Sequence, residues 1–189
     1  GFFMQEYADN WAQQALLEGN GGQMLKVENG ITIPAFSSKE SAEAYQLTAD
    51  MVNNKSAIHA SNDEGFQTFL NGKLGMVVTT IGKRENFESS AKFDLRGAEF
   101  PLFDGKERKL PAGGNMLMIM AKSPEEQQAA WRFMKFLLSA DSTEKWTKGT
   151  GYLPPTIVEK GTGIDKFLTE NKLMSVAASQ MPDMGQWAS

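Results

Sequence analysis

Two near-continuous apolar runs, LGMVVTT at 74–80 and NMLMIM at 115–120, constrain the possible folds most tightly. Runs this short read as strands buried on both faces, and a strand buried that way needs helices on either side of its sheet. The chain supplies such helices. SSKESAEAYQLTADMVNN, from Ser37, sets Ala44, Leu47 and Met51 on one face. SNDEGFQTFLNGK opens with Ser61 and Glu64 at capping-box spacing, carries Phe66, Phe69 and Leu70 on its apolar side, and stops at Asn71-Gly72. In SPEEQQAAWRFMKFLLS, Ser123 caps, Pro124 takes the first helical position and Glu126 closes the box, with Ala129, Phe133, Phe136 and Leu137 aligned. DSTEKW repeats the box with Asp141 and Glu144.

Phe3, Tyr7, Trp11, Ala15 and Leu16 recur at helical spacing and predict a helix over 2–17, ended by NGGQ. GQMLKVENGITIP predicts a hairpin about Asn29-Gly30. AKFDLRGAEFP alternates as a strand, FDGKERKLP reads as an exposed loop, and the tail after residue 162 reads as two helical pieces. Helices and buried strands mix without strict βαβ alternation or internal repeats. The expected class is α/β, with helices packed around a mixed sheet.

At 189 residues the chain can bury a substantial core as one large domain or two small ones. A net charge of -4 with scattered Lys and Arg argues against nucleic acid and against a polybasic membrane patch. With no Cys and a single histidine, His59, neither a Cys/His metal site nor a disulfide framework can be built, and no cofactor is implied. No apolar run approaches the roughly 20 residues that span a bilayer. The start, GFFMQEYADN, has neither the features of a signal peptide nor an initiating Met, so a piece of a longer protein is expected.

No catalytic constellation is evident. The chain has no glycine-flanked serine elbow, and NGG and AGGN lack the Lys and Ser/Thr of a phosphate loop. The pairs Glu125-Glu126 and Asp63-Glu64 fall at helix starts, where the helix dipole accounts for them. Three places suit a polar ligand better. In TGYLPP, Gly151 permits a turn and Pro154-Pro155 stiffen the backbone beyond it, so Tyr152 is presented on a surface loop. Where LGMVVTT meets a helix start, the Thr79 and Thr80 hydroxyls and nearby N–H groups could meet a ligand. In PAGGN, Gly113 and Gly114 allow close backbone approach. Each alone reads equally as a connection or a turn. Together with Trp11 they offer the aromatic faces and hydrogen-bonding groups of a sugar or polyol site.

FLNGKLGMVVTTIG, FPLFDGKERKLPAGGNMLMIM and AAWRFMKFLLSADSTEKWTKGTGYLPP, preceded by WAQQALLEGNGG, succeed one another in an order that resembles a known family. It is the C-terminal lobe of the family 1 extracellular solute-binding proteins of bacterial ABC importers, and within it the glycerol-3-phosphate-binding type. The resemblance covers roughly residues 11–155. It implies a two-lobe, periplasmic-binding-protein-like (type II) fold, of which residues 1–189 form a single α/β lobe, most of the C-terminal one, without the N-terminal lobe. It implies no catalysis. The bound species would be a sugar or polyol phosphate held between lobes and delivered to the membrane permease subunits. The protein would be a monomer, extracellular or periplasmic, with a lipid anchor conceivable in the longer protein.

Carried over position by position, the resemblance puts ligand contacts near Thr80, on Gly113 or Gly114, and on Tyr152, with Trp11 as an added aromatic wall. TTIG stands where the relatives have adjacent serines, which leaves open a sugar, an oligosaccharide or a glycerophosphodiester. No match for their phosphate-contacting arginine is found near Trp187. Two competing readings are a small α/β carbohydrate-active enzyme using an Asp/Glu pair, recognisable by two carboxylates facing across a cleft, and a protein-interaction domain, recognisable by a large apolar patch.

Overall fold

A computed structural model describes residues 1–5 and 11–186. Its organising element is a strand where the sequence predicted a helix. Phe2–Met4 (β1) runs parallel to Met76–Val78 (β4), with Phe2 opposite Met76 and Met4 opposite Val78. The helix expected over 2–17 is confined to Trp11–Gly19 (α1). Tyr7 lies outside the described residues. Helical spacing of aromatics at the start was misleading because three extended residues suffice to bury Phe3 and Met4 on opposite faces.

Phe3 packs with Phe66, Phe69, Leu74 and Phe87, while Met4 packs with Leu16, Leu17 and Ala44. β1 is thus the strand covered by helices on both faces. The first cluster comes from Asn62–Leu70 (α3) and Arg84–Ser90 (α4), and its rings meet edge to face, Phe3 with Phe66 at 5.8 Å and Phe66 with Phe87 at 5.4 Å. Gly65 makes this approach possible, since a Cβ there would lie 2.3 Å from the Phe3 ring.

The hairpin is as expected. Leu25–Glu28 (β2) pairs antiparallel with Ile31–Pro34 (β3) across Asn29 (φ 52) and Gly30 (φ 78), the left-handed pair that such a turn requires. Lys39–Asn53 (α2) is capped by Ser38, and α3 by Ser61, whose hydroxyl accepts from the Glu64 N–H at 3.3 Å. Leu110–Ala112 (β5) pairs parallel with Met184–Gln186 (β6). The strands form three two-stranded ladders among the described residues, not one mixed sheet.

Several sequence expectations give way here. β4 is shorter than the 74–80 run, and Met76 is exposed, because β4 has a strand partner only in β1. Residues 91–101 and 115–120 are irregular, and Met116, Met118 and Met120 are each more than 70% exposed. Among the described residues the apolar run at 115–120 pairs with no strand. Pro124–Leu137 (α5) forms with its expected cap and Pro, yet Phe133 and Phe136 face outward, and no residue of the helix is buried. Ala140–Thr150 (α6) starts one residue before Asp141 and is capped by Ser139, while Glu144 pairs with Lys148 instead of closing a box.

Gly163–Glu170 (α7) and Lys172–Ser179 (α8) are the two predicted pieces of the tail, and they pack through Ile164, Leu168 and Met174. Within the polar loop before β5, Arg108 is largely buried. It donates to the Phe100 carbonyl at 2.8 Å, to Glu99 at 2.8 Å and to Asp183 at 2.6 Å, tying the loop to the segment before β6. No helix among the described residues is long and apolar enough to cross a membrane.

Two variants test this packing by urea denaturation. Gly65→Ala forces a methyl group against Phe3 and is expected to cost about 1–3 kcal/mol, the range for an overpacked core. Wild-type stability would contradict the packing of α3 on β1. Arg108→Met is expected to cost about 2 kcal/mol through lost charge-assisted hydrogen bonds, since its carboxylate partners stay partly in water. An unchanged midpoint would contradict the clamp.

Candidate functional site

Because β1 and β4 are parallel, both chains leave at the same end, and the residues just beyond them come together. Gln5 succeeds β1, its N–H donates to the Val78 carbonyl at 2.9 Å, and its side-chain oxygen accepts from the Thr79 hydroxyl. Gln5 is buried, with its amide nitrogen unpartnered. Beyond the carboxyl ends of parallel strands is where ligands commonly bind in open α/β sheets.

Thr80 is exposed at the start of the 3₁₀ turn Ile81–Lys83 that leads into α4. Its hydroxyl oxygen accepts from the Gly82 N–H at 3.0 Å, so it works as a cap while its own proton remains available to donate.

Tyr152 reaches the same turn from α6. Gly151 ends that helix in the left-handed conformation, φ 80, and its N–H donates to the Thr147 carbonyl at 3.0 Å. The reversal sends Tyr152 to Gly82, where the ring comes within 3.6 Å of the position a Cβ would occupy. Tyr152 is 40% exposed, with its N–H donating to Thr150 Oγ1 at 3.2 Å. One ring edge rests on the turn while the remainder meets solvent, as the glycine and double proline of TGYLPP suggested.

Trp11, at the start of α1, covers Gly113, just beyond β5. A Cβ on Gly113 would lie 1.7 Å from the indole, so only glycine fits beneath that ring. Gly114, beside it, has open space around its α-carbon. The predicted residues therefore gather as two contacts, Thr80 with Tyr152 by way of Gly82 and Trp11 with Gly113, while Gly114 stands open.

Thr80 and Tyr152, both exposed, make an open wall. Clefts of about 460 Å³, between Leu102 and Gly185, and about 510 Å³, between Gln67 and Phe93, include none of the five. Sequence reasoning missed Gln5 and Arg84. Gln5 sits in a stretch read as helix, and a lone Arg in a helix start carries no pattern that foretells burial. Trp187 lies outside the described residues.

Residues 1–159 match the family model of the bacterial extracellular solute-binding proteins, and the chain belongs to that family. The family is one of non-enzymatic binders, in agreement with the absence of a catalytic constellation in the sequence. No curated protein sequence matches the chain significantly. Among solved structures it resembles a cyclic α-maltosyl-1,6-maltose-binding protein from Arthrobacter globiformis, with 24% identity over 98% of this chain and 48% of that one, TM-score 0.80. UgpB from Mycobacterium tuberculosis, solved with glycerophosphocholine, matches with 23% identity over 99% and 47%, TM-score 0.80. The maltose-maltodextrin-binding protein of Alicyclobacillus acidocaldarius matches with 20% identity over 98% and 51%, TM-score 0.74. At these identities the likeness is one of fold, and the chain spans about half the length of the structures it matches.

The two glycines separate close packing from open space. Gly113→Ala must displace the Trp11 ring and is expected to lower thermal stability by several degrees, whereas Gly114→Ala leaves it unchanged. Equal melting temperatures for the two variants would contradict the close approach of Trp11 to Gly113.

Proposed function

We propose that these residues form most of the C-terminal lobe of an exported solute-binding component of an ABC importer, which captures a sugar or related polyol between two lobes and hands it to permease subunits. The observation that carries this reading is the Tyr152 ring held against the Thr80–Gly82 turn, beside the carboxyl ends of β1 and β4 and open on one side. An aromatic face beside a hydroxyl donor is what a sugar ring requires. A second lobe would close over that wall. In this reading the protein works as a monomer outside the cytoplasmic membrane, in the periplasm or held to the surface by a lipid anchor.

Exposed apolar side chains also support a second lobe. Met116, Leu117, Met118 and Met120 on the irregular segment, and Trp131, Phe133 and Phe136 on α5, are all at least half exposed. Large apolar side chains left exposed in such number are expected where another body packs. A second lobe accounts for them more economically than an unrelated partner, because the matched structures are about twice as long as this chain.

The chemistry of the wall favours a neutral hydroxylated solute over a phosphate. The Gly82 N–H, a natural phosphate donor, is already committed to Thr80. The two terminal nitrogens of the nearby Arg84 guanidinium are committed to Glu88 and to the Lys148 carbonyl, and its Nε is buried without a partner. Maltose-type sugars are therefore the leading class, with glycerophosphodiesters and glycerol-3-phosphate as the alternatives.

A thermal-shift screen of the two-lobe protein, with the 189-residue chain alongside, tests this against maltose, maltotetraose, glycerophosphocholine and glycerol-3-phosphate. Ligands that bind only the folded state raise the melting temperature by mass action. The expected result is a shift of the two-lobe protein with a maltose-type sugar and none, or one only at millimolar ligand, for the chain alone. Micromolar binding by the chain alone would overturn the half-site reading, and a shift with the phosphate ligands alone would overturn the solute class.

A further inference from the structure

Arg84 is a charged residue buried inside this lobe, 7% exposed, and it lies at the junction of three elements. Its Nη1 pairs with Glu88 one turn along α4, and its Nη2 donates to the Lys148 carbonyl in the last turn of α6 at 2.9 Å. Its guanidinium carbon sits 5.3 Å from the centroid of the Phe167 ring on α7. A Cβ on Gly151 would lie 3.3 Å from Arg84 Nε and 2.9 Å from the Ile81 carbonyl, so the loop carrying Tyr152 passes directly over this side chain.

We infer that Arg84 is the positioning residue for Tyr152: it ties the end of α6 to the start of α4, and so sets the distance between the Tyr152 ring and the Thr80–Gly82 turn. The inference rests on the proposed reading of Tyr152 as a solute contact, and adds a residue that touches no solute itself. Lysine cannot replace it. A planar guanidinium can bond Glu88 and the Lys148 carbonyl at once while stacking on Phe167, whereas a single ammonium cannot hold all three. Glu88 also accepts from the Asn171 amide at 3.0 Å, which extends the tie to the start of α8.

The chain contains three tyrosines, Tyr7, Tyr45 and Tyr152, so 3-fluorotyrosine labelling gives three fluorine resonances, of which Tyr152→Phe removes the one to be tracked. Spectra of Arg84→Lys and Arg84→Met are compared with Phe69→Leu, a core variant that lowers stability elsewhere. The expected result is a displaced or broadened Tyr152 resonance in both Arg84 variants, the Tyr45 resonance unmoved, and no displacement of Tyr152 in Phe69→Leu. An unmoved Tyr152 resonance in the Arg84 variants overturns the inference. Equal displacement in Phe69→Leu also overturns it, as does loss of dispersed resonances in both Arg84 variants, since each marks a role in general stability. The readout requires no solute. A Tyr152 that moves as expected in a protein that binds none of the screened solutes would remove the proposed function and leave Arg84 in its place.

Discussion

The parallel pairing of Phe2–Met4 with Met76–Val78 joins segments more than 70 residues apart and decides where everything else can lie. Parallel strands need a long crossover connection, and here α1, the β2–β3 hairpin, α2 and α3 fill it. Because Phe3 and Met4 point to opposite faces, the crossover must return helices to both sides. It does so with α3 packed through Phe66 and Phe69, and with α1 packed through Leu16 and Leu17. The same pairing brings Gln5 against Thr79 and leaves Thr80 at the mouth of the sheet. The core thus lies along this strand pair, with Gln5, Thr79 and Thr80 just beyond its carboxyl end.

The second half of the site arrives by a different route. α6 carries little of the core, and its contribution is an end point: a glycine in the left-handed conformation that turns Tyr152 back toward Gly82. Glycine is required at Gly151, where a Cβ would lie 2.9 Å from the Ile81 carbonyl, and at Gly113, where it would lie 1.7 Å from the Trp11 indole, whereas at Gly82 the Tyr152 ring edge stands at ordinary contact distance.

Local chemistry was legible in the sequence, and partnership was not. Capping serines at 61 and 123, the Asn29-Gly30 turn and the turn at Gly151 stand as their residue types dictate, because each is decided within a few positions of backbone. The short β1 reads as helix because aromatic spacing cannot distinguish a three-residue strand from a first helical turn. The apolar run at 115–120 reads as a buried strand because continuous hydrophobicity reports what a segment needs, not whether a neighbour is present to meet the need. Of the site, the glycines and aromatics could be named from turn chemistry and the family resemblance. Arg84 and Gln5 could not, since their burial is created by α6, α7 and β4, each distant in sequence.

We propose that Thr80, Gly113, Gly114 and Tyr152 are the residues that meet the solute. Amide chemical-shift mapping of the isotope-labelled chain during titration with maltose at millimolar concentration tests it most directly, because weak contacts with half a cleft still perturb nearby amides. The expected shifts are confined to 79–82, 113–114 and 150–152. Shifts clustered instead about the cleft between Gln67 and Phe93, or the one between Leu102 and Gly185, would contradict it.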